Sequence, residues 1–136
     1  MAHVLFIDDD PALLELAGDL LTAYGHRATL AIDGRAGIDA YRREPFDLVV
    51  TDLFMPVQDG IETIGQIRHA ARGSPILAIS GRQRPGEYLR AATALGADAT
   101  LQKPFSSAQL IDAVDRLLAI LAGSRAGGSA ATVPKA

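Results

Sequence analysis

The 136-residue chain contains no cysteine, which excludes a disulfide framework and thiol chemistry and makes a cytoplasmic location the default expectation. It also lacks a surplus of positive charge, since 13 Lys and Arg stand against 16 Asp and Glu, a formal charge of −3. Nucleic-acid binding by this chain alone is therefore not expected. No apolar run approaches the roughly 20 residues that a membrane span needs, so no membrane association is expected. The opening residues MAHVLFI have neither the charged start nor the apolar length of a secretion signal. Internal repeats, a G-x-G-x-x-G fingerprint and a Walker loop are all absent from the sequence, leaving nucleotide binding without support. What is present is ordinary for a soluble globular domain: 49% apolar residues, in a length that fits one domain with a proper core.

The apolar residues read as alternating strands and helices. His3–Ile7 is a near-continuous apolar run, suited to a strand buried on both faces. Asp10-Pro11 reads as an N-cap with a first-turn proline. In the helix behind it Leu13, Leu16, Ala17, Leu20, Leu21 and Tyr24 recur at helical spacing until Gly25. Leu14 falls off that stripe and is expected to be exposed. Arg27–Ile32 is a second, weaker strand, and Asp33-Gly34 leads into a short helix ending before Pro45. Asp47–Thr51 is the third strand. Beyond a loop at residues 53–60, Ile61, Ile64 and Ile67 mark a helix closed around Gly73. Pro75–Ile79 is the fourth strand; a fourth helix follows Pro85 and ends at Gly96. Ala97–Leu101 is the fifth strand, and the last helix, about Ser106–Ala122, buries Leu110, Ile111, Val114, Leu117, Leu118 and Leu121.

Five strand–helix alternations with no consecutive strands predict a parallel sheet covered by helices on both faces. An eight-fold barrel would need roughly 250 residues, so an open, doubly wound, five-stranded α/β sheet is expected. Residues 1–122 form the expected domain. Residues 123–136 (GSRAGGSAATVPKA) are small, glycine-rich and aperiodic, and read as a flexible tail or the stub of a linker.

Open α/β sheets take their ligands outside the carboxyl ends of the strands, where the winding reverses. Asp8 and Asp9 end the first strand, Asp52 the third and Ser80 the fourth, and Lys103 follows the fifth, so all five are expected at one edge. Asp47 and Asp98 sit at strand beginnings, on the opposite edge. Asp33 and Asp10 are expected to cap helices, and Asp59-Gly60 to form a turn. Crowded carboxylates repel one another unless a cation intervenes, and hard oxygen ligands suit Mg²⁺ or Mn²⁺. A carboxylate can attack phosphorus as a nucleophile. Lys103 would add a second positive charge, and the Ser80 hydroxyl a hydrogen bond to a phosphoryl oxygen. Asp52, alone on the central strand between the Asp8–Asp9 pair and Ser80 with Lys103, is the expected nucleophile.

The segments FIDDD, TDLFMPVQDG, SG and LQKPF, in this order and spacing, closely resemble the receiver domain of two-component response regulators, over residues 3 to about 122. The resemblance implies a flavodoxin-like sheet in the order 2-1-3-4-5. It implies phosphotransfer to Asp52 from a phosphohistidine on a sensor histidine kinase or a histidine phosphotransfer protein. The metal would be held by Asp9 and Asp52 directly, by the backbone carbonyl of Phe54, and by Asp8 through water. Such a domain is a switch that catalyses only its own phosphorylation and dephosphorylation. Its downstream protein target reads the face made by the fourth helix, fifth strand and fifth helix, through which the chain would also be a monomer or weak dimer.

Three residues before Lys103, where the family carries an aromatic, this chain has Thr100, so the aromatic rotamer switch cannot operate in its usual form. Phe54, two after Asp52, either shields an acyl phosphate from water or serves loop packing, and Arg82, two after Ser80, is expected at the same rim. Leu14 is either an ordinary isolated exposed leucine or part of a docking surface for a histidine-bearing helix. Two other readings compete. The run Phe6–Asp10 also fits the D-x-D start of haloacid-dehalogenase-type phosphatases, with Asp8 as nucleophile and Asp10 as acid/base, but leaves Asp52 without a role. A receiver-like binding module working without phosphorylation is the other. A stand-alone receiver is the most economical form, with a piece of a longer regulator as the alternative.

Overall fold

The computed structural model describes residues 2–55, 58–69, 73–81 and 85–127. Among them strands and helices alternate: β1 His3–Ile7, α1 Pro11–Ala23, β2 Arg27–Ala31, α2 Gly34–Arg43, β3 Leu48–Asp52, α3 Gly60–His69, β4 Ile76–Ser80, α4 Pro85–Leu95, β5 Ala99–Gln102 and α5 Ser107–Gly127. The strands form one parallel sheet in the expected order β2-β1-β3-β4-β5. Ile7 lies opposite Thr51, Asp52 opposite Ile79 and Ser80 opposite Gln102, so the carboxyl ends of the strands align along one edge.

Side chains alternate between two separate apolar layers. Val4, Phe6, Leu48, Val50, Leu77 and Ile79 pack under α1 and α5. Leu5, Ile7, Val49, Ile76 and Ala78 pack under α2, α3 and α4. With both faces covered, β3 and β4 are buried at every position, whereas the edge strand β5 alternates in exposure.

Local sequence starts and stops the helices. Asp10 accepts the Ala12 and Leu13 N–H groups ahead of Pro11. Asp33 accepts from the Ala36 N–H, and Ser106 and Gln109 cap α5 reciprocally, each side chain accepting the other's N–H. Gly25 (φ 87°) and Gly96 (φ 119°) end α1 and α4 in the left-handed conformation that glycine tolerates best. Each is followed by a closing bond: His26 N–H to the Leu21 carbonyl, and Ala97 N–H to that of Ala92.

α1 corrects one expectation. Its buried residues are Leu14, Ala17 and Leu21, while Leu16 is 58% exposed. Leu14 packs in the layer that holds Phe6 and Val114 and is unavailable for docking. The helix is leucine-rich nearly all round, so spacing alone does not single out the face that meets the sheet. Strand bounds also move by a residue: β3 takes in Asp52, and β4 takes in Ser80. α5 extends to Gly127, five residues past the expected domain end at 122. Residues 128–136 lie outside the described residues.

The acids at the opposite edge are tethers. Asp47 donates its N–H to the His3 carbonyl and accepts the His3 N–H at 2.8 Å. Asp98 accepts the Ile76 N–H at 2.8 Å and pairs with Arg68. Among the described residues, no helix is long and apolar enough to cross a membrane.

Candidate functional site

β1 and β3 deliver two buried carboxylates to the carboxyl edge, at the reversal of winding. Asp8 follows β1; its N–H donates to the Ala31 carbonyl at 3.0 Å and its Oδ1 accepts the Asp10 N–H at 2.9 Å. Asp52 ends β3, and its Oδ1 accepts the Phe54 N–H at 3.3 Å. Lys103 joins them: its Nζ lies 3.0 Å from Asp8 Oδ2 and 3.3 Å from Asp52 Oδ2. The Lys103 N–H donates to the Ser80 carbonyl at 2.7 Å, fixing the exit of β5 against that of β4. Ser80 is buried, and its hydroxyl donates to the Gly81 carbonyl at 3.2 Å.

Asp9 is exposed beside them, and one carboxylate oxygen each of Asp8, Asp9 and Asp52 falls within 4.8 Å of the others. Burial, above all, pushes the Asp8 and Asp52 carboxyls above the usual range; the charge of Asp9 adds to the rise at Asp8, and that of Asp8 to the rise at Asp52. Burial works against the Lys103 ammonium, but its pairing with Asp8 and the charge of Asp52 outweigh this and raise it.

Among the described residues one lysine faces three carboxylates, too few positive charges to compensate them. Asp8 Oδ2 is buried, and among the described residues the Lys103 ammonium at 3.0 Å is its counter-charge. A crowded, under-compensated set of hard oxygens is what a divalent cation such as Mg²⁺ takes, keeping waters and open positions for a phosphate oxygen. The residues present fit that ion.

Every residue of the five-member cluster expected at this edge is found there. Phe54 stands at the rim, 43% exposed. Thr100 is exposed on β5, opposite Ala78, so no aromatic faces the site from that position. Arg82, Pro56 and Val57 lie outside the described residues. Asp10, the acid/base of the phosphatase reading, is occupied in capping α1. Sequence reasoning missed Gln58 and Thr63, both buried behind the loop that follows Asp52. Their only sequence signal is the adjacent Asp59-Gly60 turn, which looks ordinary.

The chain is similar to known proteins over most of its length. The family described as response regulator receiver domain matches residues 4–115. The transcriptional regulatory protein GlrR of Escherichia coli is 35% identical over 117 residues, 86% of this chain and 26% of that protein. The response regulator protein FleR of Pseudomonas aeruginosa is 36% identical over 136 residues, 98% of this chain and 28% of that protein. The chain thus spans only about a quarter of the length of these relatives. Among solved structures, the chemotaxis response regulator CheY4 of Vibrio cholerae has a TM-score of 0.80 and 28% identity, covering 86% of this chain and 98% of that one. The receiver domain of the sensor histidine kinase PA1611 from P. aeruginosa, solved with a magnesium ion in its active-site cleft, has a TM-score of 0.79 and 27% identity, covering 87% and 98%. The matched span runs from the first strand into the last helix, and the chain belongs to the receiver domains of two-component response regulators.

Proposed function

We propose that this receiver domain accepts a phosphoryl group on Asp52, with Mg²⁺ bound, from a phosphohistidine on a sensor histidine kinase or a histidine phosphotransfer protein. The supporting observation is the Lys103 ammonium 3.3 Å from Asp52 Oδ2, at the end of the central strand and beside two further carboxylates. An Asp52 carboxylate oxygen forms the new bond to phosphorus as the phosphorus–nitrogen bond breaks, and the leaving imidazole keeps the electron pair and takes up a proton. When bound by Asp9, Asp52, the Phe54 carbonyl and, through water, Asp8, Mg²⁺ supplies charge neutralisation on the phosphoryl oxygens. Lys103 neutralises a further oxygen from the other side. The Ser80 hydroxyl, donating to Gly81 before transfer, rotates to donate to the phosphoryl group.

The added charge shifts the packing of α4, β5 and α5, the face offered to a downstream protein target. With Thr100 exposed on β5, this shift runs through backbone and α4 movement rather than an aromatic rotamer. Phe54, at the rim, shields the acyl phosphate from water. The domain acts in the cytoplasm as a switch with no other substrate.

Labelling with acetyl phosphate and Mg²⁺ tests this. The wild-type chain should gain one phosphoryl group and Asp52→Asn none; unchanged labelling of Asp52→Asn would transfer the nucleophile to Asp8 and refute the proposal. Beryllofluoride with Mg²⁺ should move the amide resonances around Ser80 and α4. Silence there favours a module that works without phosphorylation.

A further inference from the structure

The backbone that carries Asp52 is wedged against the start of α3. A Cβ on Gly60 would stand 2.2 Å from the Asp52 carbonyl oxygen and 2.6 Å from Leu53 Cα, and the Gly60 N–H donates to the Leu53 carbonyl at 3.0 Å. A shift in the start of α3 is therefore passed straight to the Asp52–Phe54 segment, where the Phe54 N–H orients Asp52 Oδ1. Side chains remote from the carboxylates hold that start in place. Thr63, fully buried, donates its hydroxyl to the Asp59 carbonyl at 2.8 Å and accepts from Gln58 Nε2 at 3.1 Å. Gln58 Nε2 also donates to Gln66 Oε1 at 3.1 Å. From behind, Gly34 of α2 presses on the pair: a Cβ there would lie 2.2 Å from Thr63 Oγ1 and 2.6 Å from the Gln58 carbonyl.

Apolar residues of matching size would fill this space without desolvating amides and a hydroxyl. A satisfied buried network instead selects one geometry. We propose that Gln58 and Thr63 are positioning residues for the Asp52 site, setting its affinity for the metal through the first turn of α3. This rests on the reading of Asp52 as a metal-dependent phospho-acceptor.

Calorimetric titration of Mg²⁺ into the chain, together with acetyl phosphate labelling, tests it. Thr63→Val keeps the shape and removes the hydroxyl; it should weaken Mg²⁺ binding about three- to tenfold and slow labelling of Asp52. Thr63→Ser keeps the hydroxyl and should stay within about twofold of the wild type. A purely structural role would lower the thermal midpoint of Thr63→Val and leave Mg²⁺ affinity unchanged, which overturns the proposal. Equal weakening in Thr63→Ser overturns it too, because the hydroxyl would then be irrelevant. Gln58→Met, of similar length but without the donor, repeats the test should Thr63→Val not fold, and wild-type affinity in that variant likewise counts against it. The wild-type titration separates the two levels: absence of Mg²⁺ binding there removes the underlying reading of Asp52 itself.

Discussion

Asp8 and Asp52 are buried carboxylates that share one ammonium, and burial raises both pKa values above the usual range. In the window between the ordinary carboxylate range and those raised values, the folded chain binds more protons than the unfolded one. The stability contributed by these groups therefore falls as pH rises through that window, and at neutral pH they burden the metal-free protein. Replacing Asp52 by Asn removes one such charge and leaves Asp8 to pair with Lys103. Without Mg²⁺ at pH 7, the thermal midpoint of Asp52→Asn should lie about 2–5 °C above wild type, the shift that roughly 1 kcal/mol produces in a domain of this size. A lower midpoint in a metal-free melt would contradict this account. These residues were legible in the sequence because each ends an apolar run, and a parallel sheet gathers such ends. Leu14 and Leu16 were not, because α1 carries leucine on almost every side. Gln58 and Thr63 were not either: polar residues near a turn look solvated until the packing of α2 on α3 is known.

At the scale of elements, Arg68 ties α3 to the far ends of α4 and β4. Its Nε and Nη2 donate to the Gly96 carbonyl at 3.0 and 2.6 Å and its Nη1 to the Ser74 carbonyl at 2.9 Å, with Asp98 as counter-ion. Gly96 ends α4, so the guanidinium closes one helix from the side of another. The alternation of elements and the glycine stops at 25 and 96 could be read from the sequence, but an arginine in the last turn of a helix carries no sign of its cross-helix partners. Arg68→Met should destabilise the fold by about 2 kcal/mol, a figure moderated by partial exposure of the side chain. The urea midpoint measures it, and acetyl phosphate labelling of Asp52 should persist in that variant.

For the whole molecule, the sheet separates two apolar layers, and the carboxylate cluster lies at the rim where both meet solvent. Ion binding to the folded chain alone adds stability by mass action. Mg²⁺ at about 100 times its dissociation constant should raise unfolding free energy by about 2.7 kcal/mol. A chelator should abolish the gain, and Asp52→Asn should show a much smaller one; equal gains in both proteins would place the ion elsewhere. The open parallel sheet and its double covering followed from strand–helix alternation and the strand order from the family resemblance, whereas the end of α5 followed from neither, because Gly123–Gly127 offers no helical periodicity.

The two layers also bear on traffic through this domain. A single chemical mark at their common rim is within reach of helices on opposite flanks. On the proposed reading, a change at that rim is felt by α4 on one flank and by α5 on the other, so the output edge draws on both layers at once.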